Sequence, residues 1–78
     1  MFLPMIMKEI VYYKYNTSQV VFFREDDECI FDFKTQKPIA FMDENIWFDF
    51  KTSQPIAFEQ DGVVFDYKTQ RPLCYYEY

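Results

Sequence analysis

The twelve residues from Trp47 to Phe58, WFDFKTSQPIAF, have close copies on both sides, at Ile30 to Phe41 (IFDFKTQKPIAF) and at Val64 to Tyr75 (VFDYKTQRPLCY). Asp32, Asp49 and Asp66 stand 17 residues apart, as do Thr35, Thr52 and Thr69, Pro38, Pro55 and Pro72, and Phe41, Phe58 and Tyr75. A fixed period means that one small unit is used repeatedly, and it outranks any local propensity. A fourth, worn copy runs from Tyr12 to Phe23 (YYKYNTSQVVFF), displaced by 18 residues, with Lys14 in place of the Asp and Val20 in place of the Pro. Terminal repeats are commonly atypical. The chain therefore divides into repeats of about 11–27, 28–44, 45–61 and 62–78 within a single domain, 1–78.

Within each copy apolar residues alternate, as at Ile46, Phe48 and Phe50 and again at Ile56 and Phe58. Period two is the mark of a strand. Two such runs around a polar stretch, here Lys51 to Gln54, make a β-hairpin. Pro38, Pro55 and Pro72 fall at the start of the second strand, where a missing N–H is tolerated. The expected fold is all-β, with four β-hairpin repeats of about 17 residues around a pseudo-fourfold axis and no substantial helix. One hairpin cannot bury its apolar face alone, so the copies must meet around a common centre.

Stacking the copies gives an expected core. It comprises Val11, Tyr13, Tyr15, Val21 and Phe23, then Cys29, Phe31, Phe33, Ile39 and Phe41. The later repeats supply Ile46, Phe48, Phe50, Ile56 and Phe58, then Val63, Phe65, Tyr67, Leu73 and Tyr75. For both strands of a hairpin to share this face, the loop must hold an odd number of residues or the hairpin a bulge. A two-residue primed turn within the repeat is not expected, because no Gly stands there.

The pattern resembles that of the four-fold beta flower proteins, whose repeats run as aromatic-Asp, a turn, then Pro-apolar-Ala-aromatic. The matching residues are Phe31-Asp32 with Pro38 to Phe41, Phe48-Asp49 with Pro55 to Phe58, and Phe65-Asp66 with Pro72 to Tyr75. The turn here is one residue longer than in that family and carries Lys-Thr where a Gly is usual. The resemblance implies a small flower of four hairpins and brings no catalytic residues with it.

A chain of 78 residues must be unusually apolar to hold a core, and half of this one is hydrophobic, with ten Phe, seven Tyr and one Trp. Thirteen acids against eight bases give a net charge of −5, which argues against nucleic acid as partner. The opening MFLPMIMK lacks a basic flank and is far too short for a membrane span, so it reads as a strand or core cap. No membrane partner is expected, and the location expected is cytoplasmic.

Cys74 stands in the slot of Ala40 and Ala57, and Cys29 in that of Ile46 and Val63, so both read as free thiols at packing positions. Asp32, Asp49 and Asp66 would form a carboxylate ring able to hold a hard cation, but the fourth member is Lys14. The plainer reading has each Asp accept hydrogen bonds from its own turn or from the Thr three residues on. Neither a cofactor nor a metal is expected.

Charge is segregated along the repeat. Lys34, Lys37, Lys51, Lys68 and Arg71 lie in the hairpin turns, while Glu25, Asp26, Asp27, Glu28, Asp43, Glu44, Glu59 and Asp61 lie in the connectors. These are solvated loops, or rims that dock a partner of opposite charge. Trp47 shares a second, partly apolar face with Ala40, Ala57 and Cys74, which is either a second packing layer or an exposed patch for association.

With no His there is no imidazole base at neutral pH, and no Gly-rich phosphate loop is present. The chain reads as a small non-enzymatic protein-interaction module, binding an unknown protein or itself. The candidate contacts are Trp47, Lys34, Lys51 and Lys68, with Glu25, Asp26, Asp27 and Glu28. The alternative is a small acidic inhibitor that occupies a basic, nucleic-acid-binding surface on a target, with Glu25 to Glu28 carrying the contact.

Overall fold

Alternation, turn chemistry and proline placement build eight strands and no helix in a computed structural model that describes residues 10–25 and 28–76. They are β1 (Ile10–Lys14), β2 (Val20–Arg24), β3 (Cys29–Asp32), β4 (Pro38–Asp43), β5 (Ile46–Asp49), β6 (Pro55–Gln60), β7 (Val63–Asp66) and β8 (Pro72–Tyr76). Each pairs antiparallel with its neighbours, and β8 pairs with β1, with Tyr12 opposite Tyr76 and Tyr13 opposite Tyr75. The four hairpins thus close into a barrel, an arrangement that leaves no strand edge. The opening MFLPMIMK, Asp26 and Asp27 lie outside the described residues.

Each hairpin carries one bulge at the same place. Ile30 faces Ala40 and Phe31 faces Pro38, which leaves Ile39 as the extra residue, and Val21, Ile56 and Leu73 take that role in the other hairpins. The carbonyls of these residues turn to the next hairpin. Val21, Ile39, Ile56 and Leu73 accept the N–H groups of Phe33, Phe50, Tyr67 and Tyr15 at 2.9–3.1 Å. The bulges therefore stitch the hairpins into a ring.

The core lies on the opposite face from the one expected. Tyr12, Ile30, Trp47 and Val64 point inward together with Ala40, Ala57 and Cys74, and these residues form the buried cluster. An eight-stranded barrel has an interior just wide enough for side chains to fill. Ile30 opposite Ala40, Trp47 opposite Ala57 and Val64 opposite Cys74 set a larger residue against a smaller one in each pair. The bulky series expected inside forms the outer wall instead, with Phe23 buried there at 8% exposure. Of it, Val21, Ile39 and Ile56 at the bulges still pack against the core.

On the outer wall the seams between hairpins are closed by aromatic pairs directly opposite in register. Phe23 stacks on Phe31, Phe41 on Phe48, Phe58 on Phe65 and Tyr13 on Tyr75, with ring centroids 5.2–5.5 Å apart. Such a pair contributes about 0.5–1.5 kcal/mol beyond its buried area. The repeated aromatics are therefore the clasps of the barrel.

Primed turns do occur, but in the connectors. Glu44 and Asn45 have φ of 53° and 71°, and Asp61 and Gly62 have 54° and 84°, the two positive values that a type I′ hairpin turn requires. β4 runs into β5 and β6 into β7 through these two-residue links.

Candidate interaction rim and buried polar cluster

The four turns within the repeats gather at one end of the barrel, and the connectors at the other. In the second turn the Asp32 N–H donates to the Lys37 carbonyl and the Gln36 N–H to the Asp32 carbonyl, both at 2.9 Å. Asp32 Oδ2 accepts from the Thr35 N–H at 2.8 Å, and Thr35 Oγ1 accepts from the Lys37 N–H at 3.3 Å. Asp49 with Thr52 and Asp66 with Thr69 repeat this arrangement. The turn N–H groups of Thr35, Thr52 and Thr69 hold the three carboxyls below the usual carboxylate range. Each Asp thus serves its own turn, as the plainer reading of the sequence has it.

These turns display side chains that the sequence pattern assigns to the core. Tyr15, Phe33, Phe50 and Tyr67 occupy equivalent positions just after β1, β3, β5 and β7, and they are 43–48% exposed. The bulge bonds fix their backbone and leave their rings outside the barrel. Lys34, Lys51 and Lys68 follow immediately, and with Lys14, Lys37 and Arg71 they make this end a basic rim studded with four aromatic rings. Between the first and second hairpins the rim opens into a cavity of about 480 Å³, and its counterpart between the third and fourth is about 250 Å³.

The opposite end is acidic. Glu25, Glu28, Asp43, Glu44 and Asp61 are exposed there. Glu59 departs from the connector assignment: it is only 9% exposed and lies inside the barrel. Glu59 Oε2 accepts from Tyr12 Oη at 2.7 Å and from Trp47 Nε1 at 2.8 Å, while Arg24 Nε donates to Tyr12 Oη at 3.1 Å. Arg24, Met42, Glu59 and Tyr76 are equivalent positions in the four repeats, so one inward slot holds a base, a thioether, an acid and a phenol. Burial, with the Glu59 charge adding to it, pushes the Tyr12 hydroxyl well above its ordinary range.

Trp47 therefore presents no surface to a partner. It is 2% exposed, its ring lies 5.1 Å from that of Tyr12 and 5.7 Å from that of Phe22, and both contacts are edge-on. The second face is the packed interior, which corrects the reading of it as an association patch. Cys74 is buried there, and Cys29 is half-buried in β3 on the outer wall. Neither forms a disulfide. Burial pushes the Cys74 thiol up to about 12, with the Glu59 charge adding to the effect.

Two features escaped the sequence reading. The rim aromatics were legible as a fourfold series beside lysines, but the same alternation placed them in the core. The buried cluster left no signal in the pattern, because its slot differs in every repeat. No protein-family model, curated protein or solved structure matches this chain.

Proposed function

We propose that this chain is a non-enzymatic protein-interaction module of the β-flower type, and that it docks an acidic protein surface on its turn-end rim. The observation that carries the reading is the fourfold display of Tyr15, Phe33, Phe50 and Tyr67, roughly half exposed, beside Lys34, Lys51 and Lys68. Aromatic anchors inside a ring of charge are the composition of an interface hot spot. The acidic connector end of a second copy offers the complementary charge, and such head-to-tail contact would build open chains of subunits.

Light scattering across a range of concentrations, at low and high salt, tests this. Association that grows with concentration, weakens with salt and is lost in the combined variant Phe33→Ser, Phe50→Ser, Tyr67→Ser supports it. Reversing Lys34, Lys51 and Lys68 to Glu gives the same loss. A monomer at every concentration and salt, unchanged by either set, overturns the association.

The cluster of Glu25, Glu28, Asp43, Glu44 and Asp61 at the connector end favours a second reading, an acidic inhibitor of a nucleic-acid-binding protein. Inhibition that survives lysine reversal at the turn end, and disappears when Glu25 and Glu28 become Gln, would select it.

A further inference from the structure

Three of the four turns hold a carboxylate oxygen against their backbone N–H groups. Asp49 Oδ2 accepts from Lys51 at 3.0 Å and Thr52 at 2.8 Å, Asp66 Oδ2 from Lys68 at 3.1 Å and Thr69 at 2.9 Å, and Asp32 Oδ2 from Thr35 at 2.8 Å. The first turn has the same backbone. Its Lys14 N–H donates to the Gln19 carbonyl at 2.7 Å, its Ser18 N–H to the Lys14 carbonyl at 2.8 Å, and Thr17 Oγ1 accepts from the Gln19 N–H at 3.3 Å. Ser18 has φ of 63°, against 62–65° at Gln36, Ser53 and Gln70.

Only the acceptor differs. Lys14 stands where the others have Asp, so the Asn16 and Thr17 N–H groups, the counterparts of Lys51 and Thr52, meet no acceptor among the described residues. A cradle shaped for a carboxylate therefore carries a cation at its edge. The rim cavity of about 480 Å³ shares Lys14 and Gln19 with this turn and continues along Val20, Val21, Phe33 and Lys34. Asp32 also lines it, with its Oδ2 turned to the Thr35 N–H of its own turn.

We propose that the first turn is a binding site for the carboxylate of a ligand with an apolar body. The Asn16 and Thr17 N–H groups and the Lys14 ammonium take the two carboxylate oxygens, as successive backbone N–H groups take anions elsewhere. The cavity walls of Val20, Val21 and Phe33 take the apolar part, and Lys34 faces the same ligand from the second hairpin. A free organic acid and the terminal residue of a peptide both carry this chemistry. The carboxylate contacts lie in the first turn, while Phe33 and Lys34 are shared with the rim, so titration with a small acid tests this site apart from what the rim docks.

Titration of ¹⁵N-labelled protein with 3-phenylpropionate, followed by amide shifts, is the test. A short peptide ending in Phe, with a free or an amidated terminus, forms the second arm and tells the two sources apart. Saturable shifts at Asn16 and Thr17 are expected, with none at Lys51, Thr52, Lys68 or Thr69. The corresponding alcohol, 3-phenylpropanol, should give none. Lys14→Asp, which restores the residue of the other turns, should weaken binding at least about tenfold, and Lys14→Gln should weaken it less. Absence of saturable shifts in both arms, equal shifts at all four turns, or undiminished binding in Lys14→Asp would overturn the proposal.

Discussion

Tyr12 donates its hydroxyl proton to Glu59 across 2.7 Å, joining the first hairpin to the third through the middle of the barrel. Trp47 Nε1 donates to the same oxygen, and Arg24 donates to the Tyr12 oxygen. Glu59→Met, which installs the residue found at position 42, leaves two buried donors, the Tyr12 hydroxyl and Trp47 Nε1, without this acceptor. A loss of about 3 kcal/mol in urea unfolding is expected. The double variant Arg24→Met, Glu59→Met should depart from the sum of the two single losses, because both residues bond the Tyr12 hydroxyl.

Trp47 fluorescence reports the same interior. With the ring 2% exposed, emission should be blue-shifted and resist acrylamide until the barrel unfolds. Unhindered quenching in the native state would place the ring outside.

Alkaline instability should begin with Cys74, and Tyr12, whose hydroxyl is also pushed above its ordinary range, should add to it at higher pH. The Cys74 thiol ionises at an ordinary value of 9.0 in the unfolded chain and at about 12 in the barrel. A folded value above the unfolded one means the stabilisation is full below 9 and lost as pH rises through 12. Urea midpoints measured from pH 8 upward should fall in that window. Cys74→Ala, the residue of positions 40 and 57, should flatten the part due to the thiol.

At acid pH the sign reverses. The turn N–H groups lower the Asp32, Asp49 and Asp66 values below the ordinary 3.8. Their stabilisation is present above 3.8 and is lost as pH falls through the depressed values. Melting temperatures between pH 6 and pH 2 should drop less steeply in the triple Asp→Asn variant, from a lower starting point.

Gly62 sits at φ 84°, where an added Cβ would meet, among the described residues, only the Tyr76 carbonyl, at 3.6 Å. Space is no obstacle, yet Gly62→Ala should cost about 1 kcal/mol in backbone strain. Gln36→Gly and Ser53→Gly, at φ 65° and 62°, should relieve strain and raise the urea midpoint slightly. Opposite outcomes would remove these backbone angles from the account.

The repeat made the hairpins, the strand starts at Pro38, Pro55 and Pro72 and the Asp-capped turns legible before any coordinates. Which face points inward was not legible, because both faces are apolar and alternation alone is symmetric between them. The deciding signal was volume: Ala40, Ala57 and Cys74 leave room in the narrow interior of a small closed barrel for Tyr12, Ile30, Trp47 and Val64, whereas the expected face carries no alanine at any slot. Asp61-Gly62 is a strong turn signal that lies in a connector, outside the turn within the repeat. The cluster around Glu59 needs the register of β2, β6 and the barrel closure together, and no local pattern carries that.

The pairing of β8 with β1 sets Tyr76 opposite Tyr12, so the last strand of the barrel ends beside its first. A ring closed in this way has no privileged beginning. Genetic cutting at the Glu44-Asn45 or Asp61-Gly62 link, with the start of β1 and the end of β8 joined by a short linker, would give a permuted chain with the same neighbours around the circle. The order in which the hairpins are encoded is thus separable from the object they make.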